Sequence, residues 1–312
     1  MRRYPILCAL SILLLVTPLV AIASRTTAPT VVARIPVGSK PCAAVPSRGL
    51  VWVSNFGDGT VRAIDPTRNR ATGRPIPVGS RPCGMAAGGG AVWVNGFGTS
   101  TVVRINPKRR KVVARIAVGS GPFDVLYAAG SVWSSDNRSG WVSRIDPRRN
   151  RVIRRIATGG APAGFAYAAG AVWVGSTTGT KIFRIDPGTN AFAAVDTGSE
   201  APTWLASTNG DVWAAAPPQG LVTRISTATN EVVARTPVEP GSTPVDGVVG
   251  PDGLVWIPLL TRGKIARIDP LTNEVVDVVP TVSGPFVLSL GFGDIWSPNY
   301  GGRAVWRLRA GR

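Results

Sequence analysis

The chain alternates short runs of β-branched and aromatic residues with clusters of Gly, Pro, Asn, Asp and Ser, and it repeats this on a fixed period. Ser120 to Gly159 is one such period. Gly121-Pro122-Phe123 opens it as a turn and leads into an apolar run to Tyr127, which Ala129-Gly130 breaks. Val132-Trp133-Ser134 is a second run, broken by Asn137-Arg138-Ser139-Gly140, and Trp141 to Ile145 is a third. The polar turn Asp146-Pro147-Arg148-Arg149-Asn150 separates it from a fourth run, Val152 to Ile156. Short runs of strand-forming residues bounded by turn residues predict four antiparallel strands joined by hairpins. No apolar pattern of period 3.6 after the N-terminal region is long enough to predict a helix.

Tryptophan anchors the period. Trp52, Trp93, Trp133, Trp173, Trp213, Trp256 and Trp296 are separated by 41, 40, 40, 40, 43 and 40 residues. A second marker follows each by 13 positions, as Asp65, Asn106, Asp146, Asp186, Ser226 and Asp269, degenerating to Arg309 in the last copy. Four strands in a repeat of this length predict an all-β fold, a seven-bladed β-propeller with four antiparallel strands per blade. A lone blade cannot bury both faces, so the stack must close into a ring. Residues 30–37, Thr-Val-Val-Ala-Arg-Ile-Pro-Val, carry fourth-strand text matching Lys111 to Val118, whereas the last repeat stops at Leu308-Arg309 without a fourth strand. The N-terminal strand is therefore expected to complete the last blade of a propeller spanning 30–312, removing a free sheet edge.

Ahead of the repeats, Met1-Arg2-Arg3-Tyr4 precedes an uncharged apolar stretch from Ile6 to Ile22 and the small-x-small site Ala21-Ile22-Ala23. This predicts a signal peptide over 1–23, a linker over 24–29, and an extracytoplasmic protein, secreted or associated with the cell envelope. An uncleaved anchor is the alternative, and Cys8 falls within the removed segment. Formal net charge is +18, with a sequence pI near 11.3. Such a chain suits anionic partners, whether nucleic acid, lipid head groups or wall polymers. Many of its arginines, however, hold repeat positions. Arg104, Arg144, Arg184, Arg224, Arg267 and Arg307 stand 11 residues after their tryptophans, and Arg34, Arg115, Arg155 and Arg235 fall in fourth strands. These read as solvated or inter-blade residues. No interleaving of aromatic and basic residues marks a single-strand binder, so a specific nucleic-acid partner is not expected. An anionic polymer stays open as a partner, and a monomer is expected.

Cys42 and Cys83 occupy one slot in adjacent repeats, Lys40-Pro41-Cys42 and Arg81-Pro82-Cys83. Secretion permits a disulfide. Equivalent positions on neighbouring inner strands are expected near or past the ~7 Å Cα limit for bridging. Two buried thiols are therefore the leading expectation, a Cys42–Cys83 disulfide the second, and a soft metal pair the third.

A propeller presents ligands with the face that carries its fourth-to-first and second-to-third loops, where the central channel opens. Just after the Val-Gly-Ser-x-Pro element the seven copies carry Cys42, Cys83, Phe123, Ala163, Thr203, Val245 and Phe286. The next slot carries Ala43, Gly84, Asp124, Gly164, Trp204, Asp246 and Val287. The second-to-third loops contribute Asn55, Phe56, Asp58, Phe97, Asp136, Asn137, Arg138, Gln219, Arg262, Asn299 and Tyr300. Trp204 stands where other copies have small or acidic residues. The candidate ligand site is accordingly Trp204, Phe123, Phe286, Asp124, Asp246, Asn55 and Asn299, an apolar mouth with carboxylates suited to a small ligand or a cation. The competing expectation is that the aromatics plug the channel and the aspartates cap turns. The seven repeated tryptophans read as inter-blade packing, as do Trp141 and Trp306 in third strands.

The chain contains no histidine. That excludes a Ser-His-Asp triad, a histidine metal site and an imidazole base. Acid–base chemistry would fall to Asp124, Asp136 or Asp246, with a hard metal such as a divalent cation. No metal-loop spacing supports such a cofactor, and no catalytic residue is assigned.

Val51-Trp52-Val53-Ser54-Asn55-Phe56-Gly57-Asp58-Gly59-Thr60-Val61, with Arg144-Ile145-Asp146-Pro147 and Ile116-Ala117-Val118-Gly119-Ser120-Gly121-Pro122, resembles the YVTN/NHL-type bacterial propellers. Within them it is most similar to the streptogramin B (virginiamycin B) lyase-like group. The resemblance covers nearly all of the chain after the N-terminal segment and is specific for fold. It implies a lyase that opens a cyclic depsipeptide by elimination, using histidine and glutamate with magnesium. The histidine has no counterpart here, so no catalytic residue carries over. A gluconolactonase-like propeller is related in shape and would need acidic and Asn metal ligands, which Asp124, Asp246, Asn55 and Asn299 match loosely. The expected function is a non-catalytic binding or scaffold propeller for a small ligand, a wall component or a protein. The alternative is a streptogramin-lyase-like or lactonase-like enzyme with a carboxylate–metal site.

Overall fold

The computed structural model describes residues 27–208, 210–281 and 284–311. The expected signal peptide, 1–23, and the first half of the linker lie outside them. Within them the chain forms seven four-stranded sheets, each ordered as an antiparallel meander. The second blade is typical: Pro82–Gly88, Ala91–Gly96, Thr101–Asn106 and Lys111–Ala117, from the channel outward. The last blade is built from both ends of the chain. Ser289–Gly291, Asp294–Pro298 and Ala304–Arg309 supply three strands, and Thr30–Pro36 pairs antiparallel with the third, Thr30 opposite Arg309. Innermost strands of neighbouring blades touch all the way round, including the first blade against the last.

The core is distributed between blades. All seven repeat tryptophans are fully buried. Trp93 packs on Val125, Val132 and Ile145 of the following blade, and the other copies make equivalent clusters. In five blades the indole N–H donates to the carbonyl five residues earlier, as in Trp52 to Ser47 at 3.2 Å and Trp296 to Gly291 at 2.9 Å. That bond fastens the first hairpin of the blade to its second strand.

The repeated arginines link the blades. Each of the six lies over its own tryptophan, with guanidinium carbon to ring centroid distances from 4.9 to 5.9 Å. Cation–π contact of this kind is strongest where water is excluded. Four of them also reach the third-to-fourth turn of the next blade. Arg104 donates to Pro147 O and Asn150 Oδ1, both at 2.9 Å, and Arg144 does the same to Pro187 and Asn190 at 2.6 and 2.8 Å. Arg224 bonds Pro270 and Asn273, and Arg307 bonds Pro66 and Asn69 at 2.6 and 2.8 Å, closing the last blade on the first.

The Asp-Pro-x-x-Asn text shapes the acceptor. Asp146 Oδ1 accepts the N–H groups of Arg148 and Arg149 at 2.8 and 3.1 Å, which folds the turn. Asn150 ends it at φ 53°, a left-handed conformation that asparagine tolerates better than most residues. The first blade lacks the arginine, having Ala63, and the turn it would face lacks the asparagine, having Arg110. Both halves of that joint are missing together. Arg267 has no such turn to reach, because the fourth strand of the last blade is Thr30–Pro36 and no hairpin joins it to the third; it pairs instead with Asp252 at 3.0 Å and with Asp277. Two fourth-strand arginines also bridge blades: Arg115 donates to Val78 O at 2.5 Å and Arg235 to Thr197 O at 2.8 Å.

Arg307→Ala removes two charge-assisted bonds at the ring closure together with the ion pair to buried Asp294 in its own blade, and is expected to cost about 3–5 kcal/mol. Arg68→Ala removes only an exposed pair with Asp65 and should cost well under ~1 kcal/mol. Urea unfolding midpoints of the two variants check this; equal shifts would remove the joint from the account of ring stability.

Candidate functional site

In the first four blades the two slots that face the channel fall in β-bulges. Pairing between the first two strands slips by one residue between Pro41 and Ala44, Pro82 and Met85, Pro122 and Val125, and Pro162 and Phe165. Bulges twist a strand and re-aim its side chains, and here they turn the residues after each proline toward the axis. Side chains opposite the bulge then tie one blade to the next. Ser54 donates to Cys83 O at 2.6 Å, and Asn95 accepts from Cys83 N at 2.9 Å while donating to Pro122 O at 2.8 Å. At Gly175 the backbones of two blades approach closely, and a Cβ there would lie 2.4 Å from Thr203 O. Around the fifth to seventh blades the innermost strands shorten to Trp204–Ser207, Val248–Val249 and Ser289–Gly291.

This framework builds an aromatic cup over the channel. Cys42, Cys83, Phe56, Phe97, Phe123, Trp204, Phe286 and Tyr300 line a cavity of about 190 Å³. Its wall is a chain of ring contacts: Phe123–Trp204 at 4.8 Å, Trp204–Phe286 at 5.3 Å, Phe286–Tyr300 at 5.2 Å and Tyr300–Phe56 at 5.4 Å between centroids. The rim is basic. Arg138 lies 4.7 Å over Phe97 and Lys40 lies 5.8 Å over Tyr300. Phe56 also borders an open groove of about 790 Å³ between the loops of the first two blades, which Lys40 and Arg81 line.

Of the residues singled out from the sequence, Trp204, Phe123 and Phe286 meet in this cup. Asp124 and Asp246 are channel residues outside its lining. Asp124 accepts N–H bonds from Val125 at 2.8 Å and from Phe165, in the next blade, at 3.0 Å. Burial nonetheless pushes its carboxyl up to about 6, against the opposing effect of those two bonds. Asp246 is raised well above the ordinary carboxylate range, first by burial and then by the negative charge of Asp124. Its backbone carbonyl accepts from Leu288 N at 3.1 Å.

Asn55 and Asn299 lie outside the cup. Both are buried; Asn55 donates to Thr60 Oγ1 at 3.2 Å and Asn299 to Ser297 O at 3.2 Å. Their slot, three residues after the tryptophan, holds Asp136 in the third blade, which accepts from Gly119 N at 2.8 Å, Ser134 Oγ at 2.7 Å and Ser143 Oγ at 2.6 Å. That carboxylate fastens the fourth-to-first loop of its blade. Among the described residues no group of three or more Cys, Asp or Glu is arranged to hold a metal.

Cys42 and Cys83 form a disulfide, with Cα atoms 5.1 Å apart, which corrects the expectation of two thiols. The innermost strands converge on the axis, and the bulges turn both side chains inward, so neighbouring copies of the slot fall inside the bridging range. Phe56, Phe97 and Tyr300 were absent from the expected site. All three stand four residues after their tryptophans, in the last, first and second blades, which are consecutive around the ring. That run is visible in the sequence only when the last repeat is placed beside the first.

No protein-family model matches the chain, and no curated protein matches it. Solved structures do. A streptogramin B lyase superposes with a TM-score of 0.79 at 16% identity, covering 89% of this chain and 97% of that one. Virginiamycin B lyase from Staphylococcus aureus gives 0.77 at 16% identity, with 89% and 98% covered. The WD40 β-propeller domain of Doa1 gives 0.76 at 11% identity, with 90% and 97% covered. At these identities the likeness is one of fold, shared by lyases and by a WD40 propeller alike.

Two outcomes follow from the channel. Asp124 titrates near 6 in the fold, against about 3.9 unfolded. Between those values the folded state holds the extra proton, so stability rises as pH falls from 7 toward 4 and is lost as pH climbs through 6. Asp246, shifted the same way, adds to this trend. With no histidine to titrate, the urea midpoint should be higher at pH 5 than at pH 7.5, and Asp124→Asn with Asp246→Asn should flatten most of that slope. Cys42→Ser with Cys83→Ser should lower stability by roughly 2–4 kcal/mol, read from the same melts; an unchanged midpoint would mean that the bridge contributes nothing to the ring.

Proposed function

We propose that this chain is a secreted or envelope-associated propeller that binds rather than catalyses. Its site is the aromatic cup, and its ligand is a larger amphipathic molecule that inserts one ring-sized apolar group and lays an anionic part on the rim. The observation that carries this is the wall of five contiguous rings beneath Lys40, Arg81 and Arg138. The size of the cup supports a partial guest. About 190 Å³ is close to the ~150 Å³ cavity that accepts benzene and below the ~300 Å³ at which drug-sized pockets begin.

The second reading is a lyase of the streptogramin type, favoured by the structural neighbours. Among these is a catalytically inactive histidine-to-alanine variant of virginiamycin B lyase with quinupristin. This chain has no histidine at all, and its channel carboxylates are shifted toward the neutral acid. Binding is therefore the better-supported reading.

Anilinonaphthalene sulfonate, an aromatic anion, is the first probe. It should bind with enhanced fluorescence, and Trp204→Ala should weaken it at least about tenfold, since aromatic anchors in desolvated pockets dominate such sites. Binding unaffected by that change would place the site elsewhere. Magnesium-dependent ring opening of a streptogramin B depsipeptide, abolished by a chelator, would replace the binding reading with the lyase.

A further inference from the structure

Charge is unevenly distributed around the ring. Residues 41–159, the first three blades, contain 19 Lys and Arg against 5 Asp and Glu, a net of +14. Residues 160–312 contain 11 against 12, a net of −1. Much of the excess lies in one kind of turn, the one that joins third and fourth strands. In the first three blades these turns contain Arg68 and Arg70, the run Lys108-Arg109-Arg110-Lys111, and Arg148-Arg149-Asn150-Arg151. In the next three the corresponding segments, 187–191, 227–231 and 270–274, contain no cation, and two of them end on Glu231 and Glu274. The ring needs the aspartate and asparagine of this turn, as the inter-blade joints show, but nothing in the packing calls for cations at its tip.

These side chains are free for a partner. All the basic residues named in the three turns are exposed. Among the described residues, the ion pairs these turns make are Arg68 with Asp65 and Arg149 with Asp146, each internal to its own turn. Equivalent turns of consecutive blades project from the same end of the ring, so the cations form a shallow crescent rather than a groove. The aromatic cup opens at the opposite end, where second-to-third and fourth-to-first loops meet.

We propose that this basic crescent docks the protein on a surface of anionic lipid head groups. Charge complementarity is the first argument: clustered Lys and Arg near such a surface contribute about 1 kcal/mol each. The course of the chain is the second. Thr30 pairs with Arg309 as Lys111 pairs with Asn106, so the polypeptide enters the ring at the basic end. The segment that leads into the ring and the exposed cations of the turns thus lie at one end of the molecule. Docked this way, the crescent lies on the lipid and the cup faces outward into solvent. This inference is independent of what the cup binds.

The test uses the chain from Ser24 onward, which contains every strand of the closed ring, and vesicles of neutral phosphatidylcholine with or without phosphatidylglycerol. The protein should sediment with anionic vesicles at low salt, not with neutral ones, and should be released as salt screens the contact. The variant K108E/R109E/R148E should bind anionic vesicles at least ~100-fold more weakly, with an unchanged thermal melt. The variant K40E/R81E/R138E makes the same change in net charge at the opposite end and should bind as the parent does. Equal loss in both variants would reduce the effect to net charge and overturn a docking face. Failure to bind anionic vesicles, with retention on soluble polyphosphate, would overturn the lipid assignment in favour of a linear polyanion.

Discussion

A guanidinium held between two blades is the contact that sets register at four of the seven junctions of the ring. Each blade alone is a twisted four-stranded sheet with two apolar faces, and it becomes stable only when its neighbours cover them. The tryptophan supplies most of the apolar surface, but an apolar contact does not by itself fix how far one sheet may slide on the next. The arginine on that tryptophan does, because its donors meet a carbonyl and an asparagine oxygen placed at one spot on the neighbouring turn. Arg307 applies the same geometry across the junction between the last blade and the first, fastening the C-terminal strand to a blade that follows directly from the N-terminal strand. Much of the basic composition is thereby committed to structure.

With the blades held in register, the channel end can depart from the repeat. Bulges carry some of the departures, since the first four blades slip by one residue at the same place, whereas Trp204 departs from the repeat in a regularly paired strand, opposite Ala215. Substitutions there leave the hairpins and the inter-blade joints untouched. This is why the cup gathers on one side of the ring, from blades at both ends of the sequence, with Trp204 reaching across from the fifth. The disulfide belongs to the same region, linking the innermost strands of the first two blades beside the aromatic wall.

The repeat, the number of blades and the closure by residues 30–36 were legible because each depends on spacing along the chain. The aromatic core of the site was partly legible, since Trp204, Phe123 and Phe286 break the pattern of their slots. Phe56, Phe97 and Tyr300 were harder to see because what makes them a set is adjacency around the ring. The disulfide was misjudged for a metrical reason. Spacing gives the order of strands but not their separation, and the innermost strands of a propeller crowd together at the axis. Asn55 and Asn299 illustrate a different limit, in which polar side chains at a loop fasten that loop and stand outside the lining of the cup.

Closure by the N-terminal strand also sets an order in time. Thr30–Pro36 is made first, yet its partner Ala304–Arg309 is made last. At typical synthesis rates of ~5–20 residues per second, the strand waits on the order of tens of seconds before it can pair. Throughout that interval the nascent chain is an open arc with an unsealed blade at one end. The final pairing converts the arc to a ring in one long-range step, the kind of contact that slows folding most. The early blades, with their disulfide and their neighbouring joints, can consolidate while the arc is still open; the cup cannot, because Phe286 and Tyr300 arrive only with the last repeat. Ligand competence is thus a property of the finished circle, and a truncated or stalled chain would carry most of the scaffold without the site.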